Sequence, residues 1–328
     1  MANVRSRISG TGHSLPQKVL TNADLEKMVD TTDEWITTRT GIRERRIAAE
    51  NEYLSLFVAE AARRALEMAG LKADELDLII VATVTPDQPI PSTACFVQHM
   101  IGAKKAAAFD MAAGCSGFIY AITVGDSFVR NGLARHVLVV GAEILSKYVD
   151  WHDRATCVLF ADGAGAVVLS AEENGRGLLS SAIHADGSMA EFITLPGGGS
   201  KIPVSHAMID ANLHTIKMKG NETFKIAVRS LESVCREAIE RAGLTPADVR
   251  WFVPHQANVR IISAVAERLG WPPETIYLNI DRIGNTSAAS IPIALDELVR
   301  SGKVQPGDIL LFAAFGAGLT WGSGLIRW

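Results

Sequence analysis

The residues best suited to chemistry in this chain are a cysteine, a histidine and an asparagine. Cys115 lies in FDMAAGCSGFIYAI, residues 109–122, with Gly114 before it and Ser116-Gly117 after it. The apolar run AAAFDMAA leading into it reads as the end of a buried strand. Beyond Gly117, residues Phe118, Ala121, Ile122, Gly125 and Val129 recur at helical spacing. The thiol is therefore predicted on a strand–turn–helix elbow, at or near the positive end of the helix. Free N–H groups and the helix dipole there favour a thiolate and lower its pKa. A thiolate in that position is a candidate nucleophile. The bland alternative is a small, inert residue in a tight turn. His255 follows the apolar WFV in PHQANVRI, at a strand end where α/β sites gather. Asn285 precedes a helix in GNTSAAS. The ordinary role of such an asparagine is an N-cap, and that of a lone strand-end histidine is structural.

The elements that must bring these three together are written twice. AIERAGLTPADVRWFVPH in the second half echoes ALEMAGLKADELDLIIVAT in the first. Ala69-Gly70-Leu71 returns as Ala242-Gly243-Leu244, 173 positions later. GDILLFAAFGAG echoes HVLVVGAE at about the same offset, and Cys115 maps onto Ala288. A period of half the chain predicts a duplicated α/β unit, not a solenoid. Its halves are expected at 1–172, carrying the cysteine, and 173–328, carrying the histidine and asparagine. Such a duplication packs the halves in layers and turns equivalent strand ends toward each other. Cys115, His255 and Asn285 can then converge on one pocket.

Other segments fill in the halves. A strand is expected at 8–13 and a helix start at 21–29. Residues 31–48 mix Trp35 with Arg39, Arg43, Arg45 and Arg46. That cluster could hold phosphates and stack on a flat base, or be a solvated loop with Trp35 in the core. Helices are expected at 54–70, closed by Gly70, and at 92–102. The unbroken apolar DLIIVATV and HVLVVGAEI read as strands buried on both faces. VLFADGAGAVVLS, residues 158–170, reads as two short strands around a glycine turn. Residues 172–217 are loop-rich around Pro196-Gly197-Gly198-Gly199, as a lid or a plain connector.

Composition narrows the class. Of 328 residues, 48% are hydrophobic and 6% aromatic, which suits helices packed closely on buried sheets. A net charge of −4 gives no global pull toward nucleic acid or membrane. The first residues lack the apolar core of a signal peptide, and no run approaches the ~18 apolar residues of a membrane span. The four cysteines stand far apart without a CxxC pair, which fits a reduced cytoplasmic protein better than a disulfide or zinc framework. No HExxH or metal-ligand spacing occurs, so no metal site is expected. The lack of GxGxxG after a first strand argues against a nucleotide cofactor.

Taken together, DEWITTRTGIRERRIA, AAGCSGF, DGAGAVVL, KGNETFK, PHQANVRI, GNTSAASIPIAL and FGAGLTWGSGLIRW resemble β-ketoacyl-[acyl carrier protein] synthase III nearly end to end. This is the condensing-enzyme family that starts fatty-acid chains. The resemblance implies a thiolase-like five-layered αβαβα sandwich of two similar halves, usually a homodimer. It implies that Cys115 takes an acyl group from acyl-CoA, with no cofactor. His255 and Asn285 would then hydrogen-bond the thioester carbonyl of malonyl-[acyl carrier protein] as carbon dioxide leaves. The backbone N–H groups of Cys115 and Ala317 would form the oxyanion hole. Relatives often have three glycines where this chain has Gly316-Ala317-Gly318.

The same resemblance implies a CoA site. Trp35 and Arg154 would sandwich the adenine, with Thr31 and Arg39 close by. Gly220, Phe224, Ala257 and Asn258 would line the pantetheine tunnel. Lys225, Arg260 and Arg268 would form a basic patch for the acidic carrier protein, weakened by Glu267 where some relatives carry lysine. Ile90 stands where acetyl-preferring relatives place a phenylalanine at the floor of the acyl pocket. The smaller side chain implies primers longer than acetyl, or branched. A condensing enzyme that starts a specialised metabolite is the rival reading. Thiolases use a second cysteine near the C-terminus, and none follows Cys235. A hydroxymethylglutaryl-type synthase would need a catalytic glutamate, for which the sequence offers no good candidate. A non-catalytic subunit would have lost the nucleophile.

Overall fold

The computed structural model describes residues 4–328. The chain runs from β1 (Arg5–Ser14) into a small hairpin, β2 (Val19–Thr21) and β3 (Glu44–Arg46), which encloses α1 (Asn22–Leu25) and α2 (Asp33–Thr40). Next come α3 (Leu54–Ala69), β4 (Leu78–Ala82), α4 (Thr93–Ile101), β5 (Ala107–Met111), α5 (Gly117–Arg130), β6 (His136–Ile144), α6 (Arg154–Cys157) and β7 (Asp162–Glu172). The later part holds β8 (Gly177–Ala185), β9 (Ile193–Thr194), α7 (His206–Asp210), β10 (Lys217–Met218), α8 (Gly220–Arg241), β11 (Trp251–Pro254) and α9 (Val259–Leu269). It closes with α10 (Ile280–Ile283), α11 (Ser290–Arg300), β12 (Ile309–Gly316) and β13 (Thr320–Arg327).

Two sheets repeat one pattern. The first has the order β1-β7-β6-β4-β5 and the second β11-β12-β13-β8. Strands β4 and β6 pair in parallel, then β6–β7 and β7–β1 antiparallel. Correspondingly β11 and β12 pair in parallel, then β12–β13 and β13–β8 antiparallel. Even β5 has an echo, an isolated parallel bridge from Phe252 to Ile276 beside β11.

Burial explains the layers. Helices α5 and α11 lie between the sheets, where Phe118, Ile122, Ile291 and Leu295 join Val139 of one sheet and Phe312 of the other in one core. The outer face of the first sheet is covered by α3 and α4 through Val58, Ala62 and Val97. Helices α8 and α9 cover the second through Val228, Ile239, Ile262 and Val265. The result is a five-layered αβαβα sandwich. A polar clasp also crosses the layers. Asp296 of α11, fully buried, accepts from Thr11 of β1 at 2.6 Å, hydrogen-bonds His13 at 2.6 Å and pairs with Arg300 at 2.8 Å.

Three expectations are corrected. The apolar run before Cys115 is β5, but β5 is the edge of its sheet and is only partly buried. Residues 158–170 hold one strand, β7, with no break at the glycines. Gly165 is there because a Cβ would come within 2.6 Å of the Ile293 nitrogen, so α11 can lie directly on the strand. The loop-rich 172–217 segment contains β8, a full edge strand of the second sheet. Among the described residues, no helix is long and apolar enough to cross a membrane.

Candidate active site

Strand β5 ends at Met111, a 3-10 turn spans Gly114–Ser116, and α5 starts at Gly117, which is the elbow expected around Cys115. Gly114 makes the turn possible with a φ of +51°. Gly316 is equally required, because a Cβ there would stand 2.5 Å from the Cys115 nitrogen. A Cβ on Gly114 would stand 2.9 Å from the Ala317 nitrogen. The elbow and the β12–β13 turn thus pack backbone to backbone. They are tied by Ser116 donating to the Thr320 carbonyl at 2.9 Å and by Thr320 donating to the Ala113 carbonyl at 2.9 Å. Cys115 and Ala317 are neighbours, and among the described residues no acceptor takes the Ala317 N–H. The alanine imposes no strain: the left-handed backbone of this turn falls on Gly318, at φ +128°.

His255 leaves the end of β11, and its N–H donates to the Ala313 carbonyl of β12 at 2.8 Å. Gly316, which touches Cys115, is three residues further along β12. Asn285 is held between segments, its N–H on the Leu159 carbonyl at 3.0 Å and its own carbonyl on the Ala161 N–H at 2.9 Å. Its Oδ1 accepts from the Ser287 N–H at 2.9 Å, which leaves the amide NH2 as the end available to donate. The 3-10 turn Ser287–Ala289 packs against the Gly114–Ser116 turn. The Cys115 turn thus packs against the turn that follows Asn285, and His255 follows the end of the strand beside β12.

Burial governs their protonation. It pushes the half-buried Cys115 thiol up to about 11, opposed by the Ser287 hydroxyl and assisted by the charge of Glu143. The resting group is a thiol, contrary to the lowered value expected at a helix start. Burial also pushes His255 down to about 4, so the imidazole is neutral and does not stabilise a thiolate by charge. Among the described residues its Nδ1 has no hydrogen-bond partner.

Several of the implied CoA residues contact one another. Trp35 on α2 has two guanidinium groups against its ring, Arg39 at 5.3 Å and Arg154 at 5.1 Å from the centroid. A sandwiched ring needs about 3.5–4 Å on each side. Arg154, which donates to the Asp30 carbonyl at 2.6 Å, must therefore move before an adenine can enter. Thr31, just before α2, has a buried hydroxyl without a partner among the described residues. Asn258 caps α9 and also donates to the Arg39 carbonyl at 2.9 Å, joining two of the implied CoA segments. Ala257 precedes it in the turn. Gly220 and Phe224 lie in the first turns of α8, with Arg260 stacked 5.4 Å from the Phe224 ring. Lys225 and Arg260 are exposed. Arg268, half exposed, pairs with Glu232 at 2.9 Å, which also pairs with Arg236 at 3.2 Å. Ile90 is 83% exposed, so within one chain it walls no enclosed pocket.

Sequence reasoning misassigned one residue and missed two. Arg45, grouped above with possible phosphate ligands, is fully buried and donates to the Leu20 and Val158 carbonyls and to Asn22. It braces the segment that holds Asn285. Glu143 and Ser287 meet behind Cys115 at 3.4 Å. The available signal was a charge inside an apolar run, as in VVGAEI. Two surface cavities lie apart from this chemistry, one of about 450 Å³ beside His13 and Arg64 and one of about 700 Å³ beside Trp271.

A cysteine on a strand-to-helix elbow of a duplicated αβαβα sandwich is the architecture of the thiolase-like condensing enzymes. The family described as 3-oxoacyl-[acyl-carrier-protein] synthase III matches residues 109–187, and its C-terminal part matches 239–328. A β-ketoacyl-[acyl-carrier-protein] synthase III of Caldanaerobacter subterraneus is 56% identical over 99% of this chain and 98% of its own. The crystal structure of the 3-oxoacyl-[acyl-carrier-protein] synthase III of Aquifex aeolicus superposes with a TM-score of 0.92 at 53% identity, covering 98% of this chain and 100% of its own. A priming β-ketosynthase from the R1128 polyketide pathway superposes equally, with a TM-score of 0.92 at 37% identity over 98% and 96% of the two chains. The chain belongs to the β-ketoacyl-[acyl-carrier-protein] synthase III family, whose members are acyltransferases of the condensing type.

Proposed function

We propose that this enzyme primes fatty-acid synthesis in two half-reactions at Cys115. The sulfur attacks the carbonyl of an acyl-CoA, the thioester bond to CoA breaks, and acyl-Cys115 forms. Malonyl-[acyl carrier protein] then binds with its thioester carbonyl on His255 and Asn285. Loss of carbon dioxide leaves an enolate, which attacks acyl-Cys115 and releases 3-oxoacyl-[acyl carrier protein] and the free thiol. A neutral imidazole suits this step, since it donates a hydrogen bond without carrying its own charge. Each such donor is worth about 10²–10³ in rate where measured elsewhere. The Cys115 and Ala317 N–H groups serve the second oxyanion. The adjacency of these two amides carries the reading. It supplies a hole beside a cysteine placed on a strand-to-helix elbow.

The assignment extends to binding. CoA lies across Thr31, Trp35, Arg39 and Arg154, with its pantetheine along Gly220, Phe224, Ala257 and Asn258. Carrier protein docks on Lys225 and Arg260. No cofactor takes part, and the enzyme works in the cytoplasm. The duplicated halves meet at residue 172. Two copies form a homodimer through the open edge of β5, which lies beside the loop carrying Ile90. The pocket of one copy is then completed by the partner's isoleucine. A polyketide or other specialised starter role is the second reading, favoured by the likeness to the R1128 priming enzyme and by the small side chain at Ile90.

Intact-protein mass spectrometry with acetyl-, butyryl-, isobutyryl- and octanoyl-CoA, without malonyl-carrier protein, tests the scheme. The expected result is one acyl group per chain, absent in Cys115→Ser, with adducts from the longer or branched primers. Asn285→Ala and His255→Ala should keep the adduct and lose condensation by about 10²-fold or more. No adduct from any acyl-CoA would refute CoA as donor. A sharp preference for acetyl would refute the argument from Ile90.

A further inference from the structure

Glu143, next to last in β6, has no exposed surface. A carboxylate buried among neutral partners is costly to keep, and the mechanism above gives it no task. Its two oxygens are used differently. Oε2 accepts from the Thr85 hydroxyl at 2.5 Å and from the Thr83 hydroxyl at 3.2 Å, and the Val84 N–H lies 3.2 Å from both oxygens. These donors belong to the segment after β4, which is itself fastened. The Thr83 N–H donates to the Met111 carbonyl at 3.0 Å, and the Thr85 hydroxyl accepts from the Ile144 N–H at 2.9 Å. Oε1 reaches across to the turn before α11, where it accepts from the Ser287 hydroxyl at 3.4 Å. The carboxylate is thus a fixed acceptor presented to one serine.

Ser287 needs such an anchor. Among the described residues it is one of two non-glycine residues with a left-handed backbone, at φ +50°. A residue other than glycine keeps that conformation where its surroundings impose it. Here the surroundings are β6. Gly141 and Glu143 share one face of the strand, two residues apart. A Cβ on Gly141 would stand 2.0 Å from the Ala288 carbonyl oxygen, so the strand and the turn meet backbone to backbone there, and Glu143 takes the serine hydroxyl beside it. The turn held in this way makes one functional hydrogen bond. The Ser287 N–H donates to Asn285 Oδ1 at 2.9 Å. That bond occupies the amide oxygen and so decides that the NH2 is the end left to donate.

We propose that Glu143 is a positioning residue for the condensation step: through the Ser287 hydroxyl it holds the left-handed turn whose N–H orients the Asn285 amide. The proposal rests on the reading of Asn285 as a donor to the malonyl thioester. Without the clamp the turn relaxes toward ordinary backbone, the Ser287 N–H leaves Oδ1, and the amide is free to rotate. Its oxygen and NH2 then exchange places, and a carbonyl oxygen facing the developing enolate repels it. Acyl transfer to Cys115 makes no use of Asn285 and is spared. The geometry uses Glu143 as an acceptor and a spacer. Glutamine can serve in its place, with its oxygen on Thr83, Val84 and Thr85 and its NH2 on Ser287, whose hydroxyl then accepts. Methionine, of similar length, offers the serine no polar atom of that strength.

The two half-reactions, measured separately on the full chain, test this. Acyl transfer from the best primer of the acyl-CoA panel is followed by intact mass, and condensation by a single turnover of the acyl-enzyme with malonyl-[acyl carrier protein]. Ser287→Ala and Glu143→Met should slow condensation about tenfold while acyl transfer keeps the parent rate. Glu143→Gln should restore most of the condensation rate. On an Asn285→Ala background, Ser287→Ala should have no further effect, because a residue that works through Asn285 has nothing left to align. Ser287→Ala removes only a hydroxyl and decides alone if Glu143→Met does not fold. Equal loss of both half-reactions, a further loss of the same size in the double variant, or Glu143→Gln as slow as Glu143→Met each overturns the proposal. Unchanged condensation in Asn285→Ala refutes the reading of Asn285 and the proposal with it. A slow Asn285→Ala beside Ser287→Ala at the parent rate refutes only the positioning role.

Discussion

His255 reaches a pKa of about 4 for one reason, the removal of water from its ring. The unfolded chain binds that proton at an ordinary value near 6.5. Between these values the unfolded state holds more protons, so the histidine lowers stability as pH falls from about 6.5 toward 4. Glu143 has the opposite sign. Its folded value of about 7 exceeds its ordinary value of 4.5, so it lowers stability as pH rises between them. The expected outcome is that His255→Gln flattens the acid side of the stability profile by about 3 kcal/mol. Urea midpoints at pH 6.5 and 4.5 measure it. An unchanged slope would mean that the ring is hydrated. Cys115, His255 and Asn285 were legible in the sequence because each follows an apolar run or opens a helix. Glu143 and Ser287 were not, since 144 residues separate them and only the fold brings them together. Nor was the protonation of the thiol, because a helix start is local and desolvation is not.

At the level of elements, the site depends on how closely β6 approaches the turn before α11. A Cβ on Gly141 would stand 2.0 Å from the Ala288 carbonyl oxygen. Gly141→Ala must push back the turn that holds Ser287 and Asn285. Overpacking of this kind costs about 1–3 kcal/mol. Condensation should fall further than stability predicts, while the acyl adduct on Cys115 survives better. Thermal melts beside the two half-reaction assays test this, and parallel loss of both half-reactions would contradict it. Helix α3 was readable from its apolar spacing and its closing glycine, and β4 and β6 from unbroken apolar runs. The continuity of β7 was not, because its glycines look like punctuation until α11 is laid against them. The edge position of β5 was hidden for a related reason. An apolar run records that a strand is covered, not whether a neighbour strand or a second molecule covers it.

For the whole molecule, duplication was written plainly in the repeated Ala-Gly-Leu and its flanking runs, and the matched strand pairing of the two sheets follows it. What the repeat left open was how the copies are fastened. The buried clasp of Asp296 with Thr11, His13 and Arg300 binds the start of the chain to a helix near its end. The β5 edge extends the same logic outward. Its unpaired backbone groups and half-buried apolar residues are a template for another strand. Sedimentation equilibrium should therefore give twice the chain mass at micromolar concentration. A monomer of full activity would exclude a pocket completed by the partner.

The indole of Trp35 carries the Arg39 and Arg154 guanidinium groups close against it, and on the proposed CoA reading a purine would stack there by displacing Arg154. Exchange of a cation for an aromatic base changes the polarity around an emitter. The emission of Trp35 should shift and dim as the nucleotide end of CoA arrives, and Trp35→Phe should remove that signal from the emission of the other five tryptophans. If CoA binds there as proposed, Trp35 is an optical gauge of occupancy, readable before any bond is made or broken.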